Sequence, residues 1–181
     1  MENNKENLIE YADNFSNIYS DTHSVNIRKL KGQFFTSKQV SKYMANLFKI
    51  NQNEISLLDL GAGTGILTAA FCERLLNSRD NIRLTIDLYE NDTSLLPFLI
   101  KTLNLCKLRF NKNGCLLKYN IHQQDFALNN ENILKKGDLY NFIISNPPYF
   151  KISRNSLYST KIKDSLLKQP NIYSLFIISQ F

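Results

Sequence analysis

Apolar residues fall into short runs separated by stretches with helical spacing, which predicts strands and helices in alternation. Residues 55–60 (ISLLDL) form a compact apolar strand interrupted only by Asp59. After Gly61, Gly63 and Gly65, residues 66–76 continue as a helix. A second strand spans residues 82–90 (IRLTIDLYE). Asp92 or Thr93 then stands where it can cap a helix that buries Leu95, Leu96, Phe98, Leu99 and Leu103. Residues 115–126 supply a third strand ending at Asp125 and Phe126, and residues 139–145 supply a fourth. This order of elements predicts an α/β doubly wound domain, a mostly parallel sheet flanked by helices.

Upstream the pattern is weaker. Leu8, Ile9, Tyr11, Phe15 and Ile18 fit one face of a short helix. Thr36 or Ser37 can cap a helix that places Val40, Tyr43, Met44 and Leu47 on one side. Residues 1–30 therefore read as a partly helical N-terminal extension, and residues 31–181 as the main domain. Near the other end, Pro170 and Asn171 start a nearly all-apolar segment (IYSLFII) that reads as a buried helix.

Composition changes this picture little. The chain has 181 residues, 43% of them hydrophobic and 21% charged, which suits one globular domain. No apolar run reaches the roughly 20 residues that span a bilayer. The polar, acidic start (MENNKENLIEYADNF) lacks a signal-peptide pattern, so a cytoplasmic location is expected. Cys72, Cys106 and Cys115 lack CxxC spacing, and His23 and His122 are the only histidines, so no metal site is expected. The net charge of +6 is compatible with a polyanionic partner, although an AT-rich coding bias towards Asn, Lys and Ile would also raise it.

Candidate chemistry lies at two strand ends. The first is the turn Asp59-Leu60-Gly61-Ala62-Gly63-Thr64-Gly65, which follows a strand and opens a helix. Its glycines let backbone approach a ligand, and the helix start supplies oriented N–H groups. An acid there would repel a pyrophosphate and attract an ammonium, which favours the amino group of S-adenosylmethionine over a dinucleotide. Glu90, ending the second strand, can accept hydrogen bonds from ribose hydroxyls. Asp125 suits an adenine amino group, and Phe126 can pack on the ring.

The second strand end is residues 142–150, FIISNPPYF. A buried strand stops at Ser145 and Asn146, and Pro147-Pro148 cannot extend it. An amide, a rigid turn and Tyr149 are thus presented together where open α/β sheets bind ligands. Lys151, Arg154, Lys161 and Lys163 follow among hydroxyl residues, a basic loop suited to phosphates.

The ordered set GQFFTS, LLDLGAGTG, YEND, QDF, FIISNPPY and NIYSLFI resembles the N6-adenine DNA methyltransferases of restriction–modification systems, in their gamma order. The resemblance covers most of the chain. It implies a Rossmann-like, S-adenosylmethionine-dependent fold with double-stranded DNA as partner. By resemblance, Phe34, Phe35 and Thr36 line the methionine part of the cofactor, and Asp59, Gly61 and Gly63 hold its amino-acid end. Glu90 meets its ribose, and Asp125 with Phe126 meets its adenine. Asn146, Pro147, Pro148 and Tyr149 form the target-base pocket.

Ser37 stands where the family usually has Pro. The family's sheet also continues for about three more strands and a target-recognition domain, so the resemblance implies a catalytic domain truncated at its C-terminus. A missing C-terminal region or a second chain would then choose the DNA sequence. Two neighbouring readings remain: a release-factor glutamine methyltransferase, which also uses Asn-Pro-Pro-Tyr but usually has an N-terminal helical domain and lacks GQFFTS, and an RNA adenine methyltransferase. A third is a truncated, non-catalytic subunit.

Overall fold

The computed structural model describes residues 7–129 and 140–149. In chain order the elements are α1 (Leu8–Thr22), α2 (Val25–Leu30), α3 (Lys38–Leu47), β1 (Glu54–Leu60), α4 (Ile66–Ser78), β2 (Arg83–Tyr89), α5 (Leu96–Lys112), β3 (Leu116–His122), α6 (Phe126–Asn129) and β4 (Phe142–Ser145). The four strands form one parallel sheet in the order β3-β2-β1-β4. The two crossovers through α4 and α5 carry the chain outward from β1 to β3, and β4 then joins on the opposite side of β1. This reversal of direction opens a crevice beyond the carboxyl ends of β1 and β4, the usual ligand position in open α/β sheets.

Strand character follows position in the sheet. β1 has neighbours on both sides and is buried almost throughout, whereas the edge strand β3 is largely half-exposed. Leu57, Leu84, Ile86, Leu88 and Leu117 join Phe71, Leu75, Leu99, Leu103 and Phe110 in one core, with Leu8, Ile9 and Ala12 of α1 in the same cluster. The residues read as an N-terminal extension therefore pack within the main core. All three cysteines are buried there as free thiols.

Two helices are rotated relative to the sequence reading. In α1 the buried side is Leu8, Ile9, Ala12, Phe15, Ser16 and Tyr19, while Ile18 faces solvent. Tyr19 can be fully buried because its hydroxyl reaches Asp92, Gln33 and Ser94. In α3, Ser37 is the cap, accepting from the Val40 N–H. Of the expected face, Met44 packs half-buried against the core, while Val40, Tyr43 and Leu47 are exposed and Ser41 and Ala45 are buried. Small side chains on that face let α3 approach closely, and Arg74 of α4 donates to the Ala45 carbonyl, satisfying an end-of-helix acceptor.

Boundaries also shift. α5 starts at Leu96 with Leu95 in the cap position, and Asp92 spends its side chain on the Ser94 N–H and hydroxyl instead of capping the helix. β3 ends at His122, so Asp125 and Phe126 lie beyond the strand, where the Asp125 carboxylate accepts from the Leu128 N–H at the start of α6. The expected helix at residues 172–178 lies outside the described residues.

Gly65 forms the junction between the turn and α4 at φ +86. A Cβ there would lie 3.0 Å from Leu99 Cδ1 and 3.1 Å from Thr102 Cγ2 of α5. Gly65→Ala therefore adds left-handed strain to a tight contact in the core, and unfolding by urea should show a loss of about 1–3 kcal/mol. Gly114→Ala meets nothing within 4 Å and should cost less, about 1 kcal/mol of strain. Equal losses would show that the α4–α5 contact is not tight at Gly65.

Candidate active site

The glycine turn is held by the end of β2. The Gly61 and Ala62 N–H groups both donate to the Tyr89 carbonyl at 2.9 and 3.0 Å, and the Gly63 N–H donates to Glu90 at 2.7 Å. Gly65 N–H donates to the Ala62 carbonyl at 2.8 Å. Behind the turn, the Thr64 hydroxyl is buried against Ser16 of α1 at 2.7 Å. These N–H groups are engaged within the protein, unlike those of a turn that cradles a pyrophosphate. The glycines serve the backbone instead: Gly61 and Gly63 are left-handed at φ +72 and +59, and Phe35 lies against Gly63 at ordinary contact distance.

A cavity of about 480 Å³ opens over this turn, within the size range of small-molecule sites. Among the residues picked out from the sequence, Phe34, Phe35, Gly61, Gly63, Glu90, Asp125, Phe126, Asn146 and Pro148 line it. Four stand off its wall. Thr36, Asp59 and Pro147 are buried, and Tyr149 is exposed beside Phe34, with ring centroids 6.0 Å apart. Lys151, Arg154, Lys161 and Lys163 lie outside the described residues.

Each carboxylate has a distinct setting. Both Glu90 oxygens are engaged, one by Gly63 and one by the Asp92 N–H at 2.7 Å. Burial raises the Glu90 pKa, against these backbone donors, which favour the ion. Asp59 is fully buried, with Oδ2 accepting from the Thr68 hydroxyl at 2.6 Å and Oδ1 without a partner among the described residues. Burial pushes its pKa up to about 7, with nearby Glu90 adding to the rise and Thr68 opposing it. A buried, unpartnered oxygen two residues ahead of Gly61 fits a cationic ligand group better than an anionic one.

Sequence reading missed part of the lining. Lys31, Gln33, Tyr89, Asp92, Leu95 and Gln124 also face the cavity. Lys31 and Gln33 donate to Asp92 at 2.6 and 2.7 Å, and Tyr19 joins them at 3.1 Å. Partial burial opposes ionisation of Asp92, but hydrogen bonds from Lys31, Ser94 and Gln33 outweigh it and hold the carboxyl well below the usual range. This network fastens the segment ahead of α3 to the loop after β2. The only hint in the sequence was Asp92 lying two residues beyond Glu90. On the aromatic side, Tyr89 meets Phe126 edge-on at 5.2 Å and stacks on His122 at 4.5 Å.

The SNPPY turn completes the arrangement. Ser145 donates to the Leu60 carbonyl at 2.7 Å, joining the ends of β4 and β1. Asn146 Nδ2 donates to the Phe34 carbonyl at 3.0 Å and to Thr36 Oγ1 at 2.9 Å, while Oδ1 accepts from the Tyr149 hydroxyl at 2.9 Å. The Tyr149 N–H donates to the Gly32 carbonyl at 3.0 Å. GQFFT and SNPPY, distant in sequence, are thus joined directly. Among the described residues no group of three or more His, Cys, Asp or Glu could hold a metal, and no helix is long and apolar enough to cross a membrane.

The fold is that of class I S-adenosylmethionine-dependent methyltransferases. The chain superposes with a TM-score of 0.65 on a structure from Listeria monocytogenes described as such an enzyme, at 16% identity, covering 97% of this chain and 50% of that one. A structure described as a modification subunit of a type I restriction enzyme from Vibrio vulnificus gives a TM-score of 0.61 at 17% identity, covering 93% of this chain and 33% of that one. More specifically, the N-6 DNA methylase family model matches residues 11–171, and the chain belongs to that family. It is 34% identical over 170 residues to the type II methyltransferase M.PstI of Providencia stuartii, covering 92% of this chain and 33% of that protein. Identity to the type II methyltransferase M.BsuBI of Bacillus subtilis is 36% over 151 residues, covering 81% of this chain and 30% of that protein. The chain spans about a third of the length of these curated relatives.

The Asp59 setting predicts a pH dependence. An unfolded Asp ionises near pH 3.9, whereas Asp59 in the fold keeps its proton to about pH 7. Between these values the folded state binds the extra proton, so stability falls as pH rises and the full cost is present above pH 7. Asp59→Asn should remove this slope and exceed the wild type by about 1–3 kcal/mol at pH 8, a gap that narrows towards pH 4. Urea titrations across that range check it. A wild type whose stability rises relative to the variant from pH 4 to 7 would contradict it.

Proposed function

We propose that this chain carries the cofactor and catalytic sites of an adenine-specific DNA methyltransferase of a restriction–modification system. In this reading it transfers a methyl group from S-adenosylmethionine to N6 of an adenine turned out of the duplex. The observation that carries the reading is the joining of GQFFT to SNPPY beside the glycine turn, which sets an asparagine amide at the mouth of a cavity lined by Glu90, Asp125 and Phe126. Family membership and relatives named as type II methyltransferases support it.

The residues fit the cofactor in chemical type. Glu90 would hold the ribose hydroxyls, Asp125 and Phe126 the adenine, and Phe34 and Phe35 the methionine part. Gly61 and Gly63 would pass close to the amino-acid end, and an ammonium near Asp59 would return that acid to its ionised form. The cofactor supplies a methyl group already activated on a sulfonium.

The chain's own task is to prepare the nucleophile. The exocyclic amine of adenine is weakly nucleophilic because its lone pair is delocalised into the ring. Asn146 Oδ1 and the Pro147 carbonyl would accept its two hydrogens and localise that pair on nitrogen. In-line placement then contributes up to ~7–11 kcal/mol in favourable systems. Pro148 would border the base and Tyr149 would stack on it, worth roughly 1–3 kcal/mol. Lys151, Arg154, Lys161 and Lys163 would meet backbone phosphates in this scheme. Target choice belongs to a C-terminal region or a second chain, within the part of the relatives' length that this chain does not span. Such an enzyme would act in the cytoplasm.

Incubation with radiolabelled S-adenosylmethionine and three acceptors tests the reading: duplex DNA, RNA and a glutamine-bearing release-factor peptide. N6-methyladenine in the duplex, reduced at least about 100-fold by Asn146→Ala, is expected. Label in the peptide or the RNA in place of the duplex would overturn it.

A further inference from the structure

We infer that Thr36 is a positioning residue for Asn146, holding the Asn146 amide in place while the Phe34 carbonyl fixes which of its ends faces the GQFFT segment. The inference rests on the reading of Asn146 as the acceptor for the target amine. It gives Thr36 a task other than lining the cofactor site.

The two ends of an asparagine amide are nearly equal in size and opposite in chemistry: one accepts and the other donates. A catalytic acceptor therefore needs an environment that distinguishes them. Around Asn146 the Phe34 carbonyl does so, since it can only accept, while the Thr36 and Tyr149 hydroxyls, which can donate or accept, hold the amide in place. Nδ2 donates to the Phe34 carbonyl at 3.0 Å and to Thr36 Oγ1 at 2.9 Å, and Oδ1 accepts from the Tyr149 hydroxyl at 2.9 Å. A flipped amide would set its oxygen against the Phe34 carbonyl oxygen, which cannot donate. The oxygen consequently faces away from the GQFFT segment, and one of its lone-pair positions remains beyond the bond from Tyr149.

Thr36 is suited to this by placement. It is 9% exposed and off the cavity wall, so its hydroxyl is turned inward to the SNPPY side. Ser37 caps α3 immediately after it, which fixes the backbone of Thr36 at the start of a helix. The Tyr149 N–H on the Gly32 carbonyl at 3.0 Å fastens the other end of the same segment. The hydroxyl therefore reaches Asn146 from a backbone held on both sides.

The test combines a spectroscopic signature with kinetics. The protein is labelled with 15N in asparagine side chains, and the Asn146 signal is assigned by its loss in Asn146→Ala. Thr36→Val, nearly isosteric but without an acceptor, should shift that signal and speed its hydrogen exchange roughly tenfold. Methyl transfer should fall about tenfold while affinity for S-adenosylmethionine stays within about twofold. Thr36→Ser should restore both signal and rate, and Thr36→Ala serves in place of valine should Thr36→Val fail to fold. An Asn146 signal unmoved in the folded variant would overturn the inference. So would a loss of cofactor affinity that accounts for all of the lost activity. Label found in the peptide or the RNA in place of the duplex, with the Asn146 signal still responding to Thr36, would retire the DNA reading and leave the positioning role standing.

Discussion

The bond from the Gly63 N–H to Glu90, at 2.7 Å, ties the first strand-to-helix turn to the end of the second strand. With the two donors to the Tyr89 carbonyl it holds the turn open as a shelf. Left-handed glycines make the turn possible, Ser16 of α1 supports it through Thr64, and Phe35 lies against it at Gly63. The cavity exists because the shelf is rigid and because β4 returns to the far side of β1.

On that base, two segments distant in sequence act as one. The main chain ahead of α3 supplies acceptors at Gly32 and Phe34, and the SNPPY turn supplies donors at Tyr149 and Asn146. The Lys31–Gln33–Asp92 network fastens the same segment to the loop after β2. The segment thus contacts both the Glu90 side and the Asn146 side of the cavity, which is the arrangement a two-substrate transfer requires.

Strand positions were legible because a parallel sheet demands short apolar runs, and 55–60 and 82–90 met that demand directly. The residues around the cavity were legible where turn chemistry is distinctive, at Gly61, Gly63, Glu90, Asn146 and Pro148. Helix rotation was not. The apolar stripe of α3 is as periodic as a core face, yet Ser41 and Ala45 face inward, because how closely two helices approach depends on small side chains that hydrophobic pattern does not weigh. Tyr19 was missed for a related reason: its burial depends on Asp92 and Gln33, partners that only the fold brings together. The resemblance placed Thr36 at the cofactor, and its bond to Asn146 was not legible because it depends on where β4 ends.

The most direct test of the account is calorimetric titration of this chain with S-adenosylmethionine, compared with Glu90→Gln. Micromolar binding, weakened at least about tenfold in the variant at unchanged fold, is the result the account predicts, since the role proposed for the Glu90 carboxylate is to meet the ribose. A folded wild type that binds no cofactor, or binds it equally well without the Glu90 carboxylate, would contradict it.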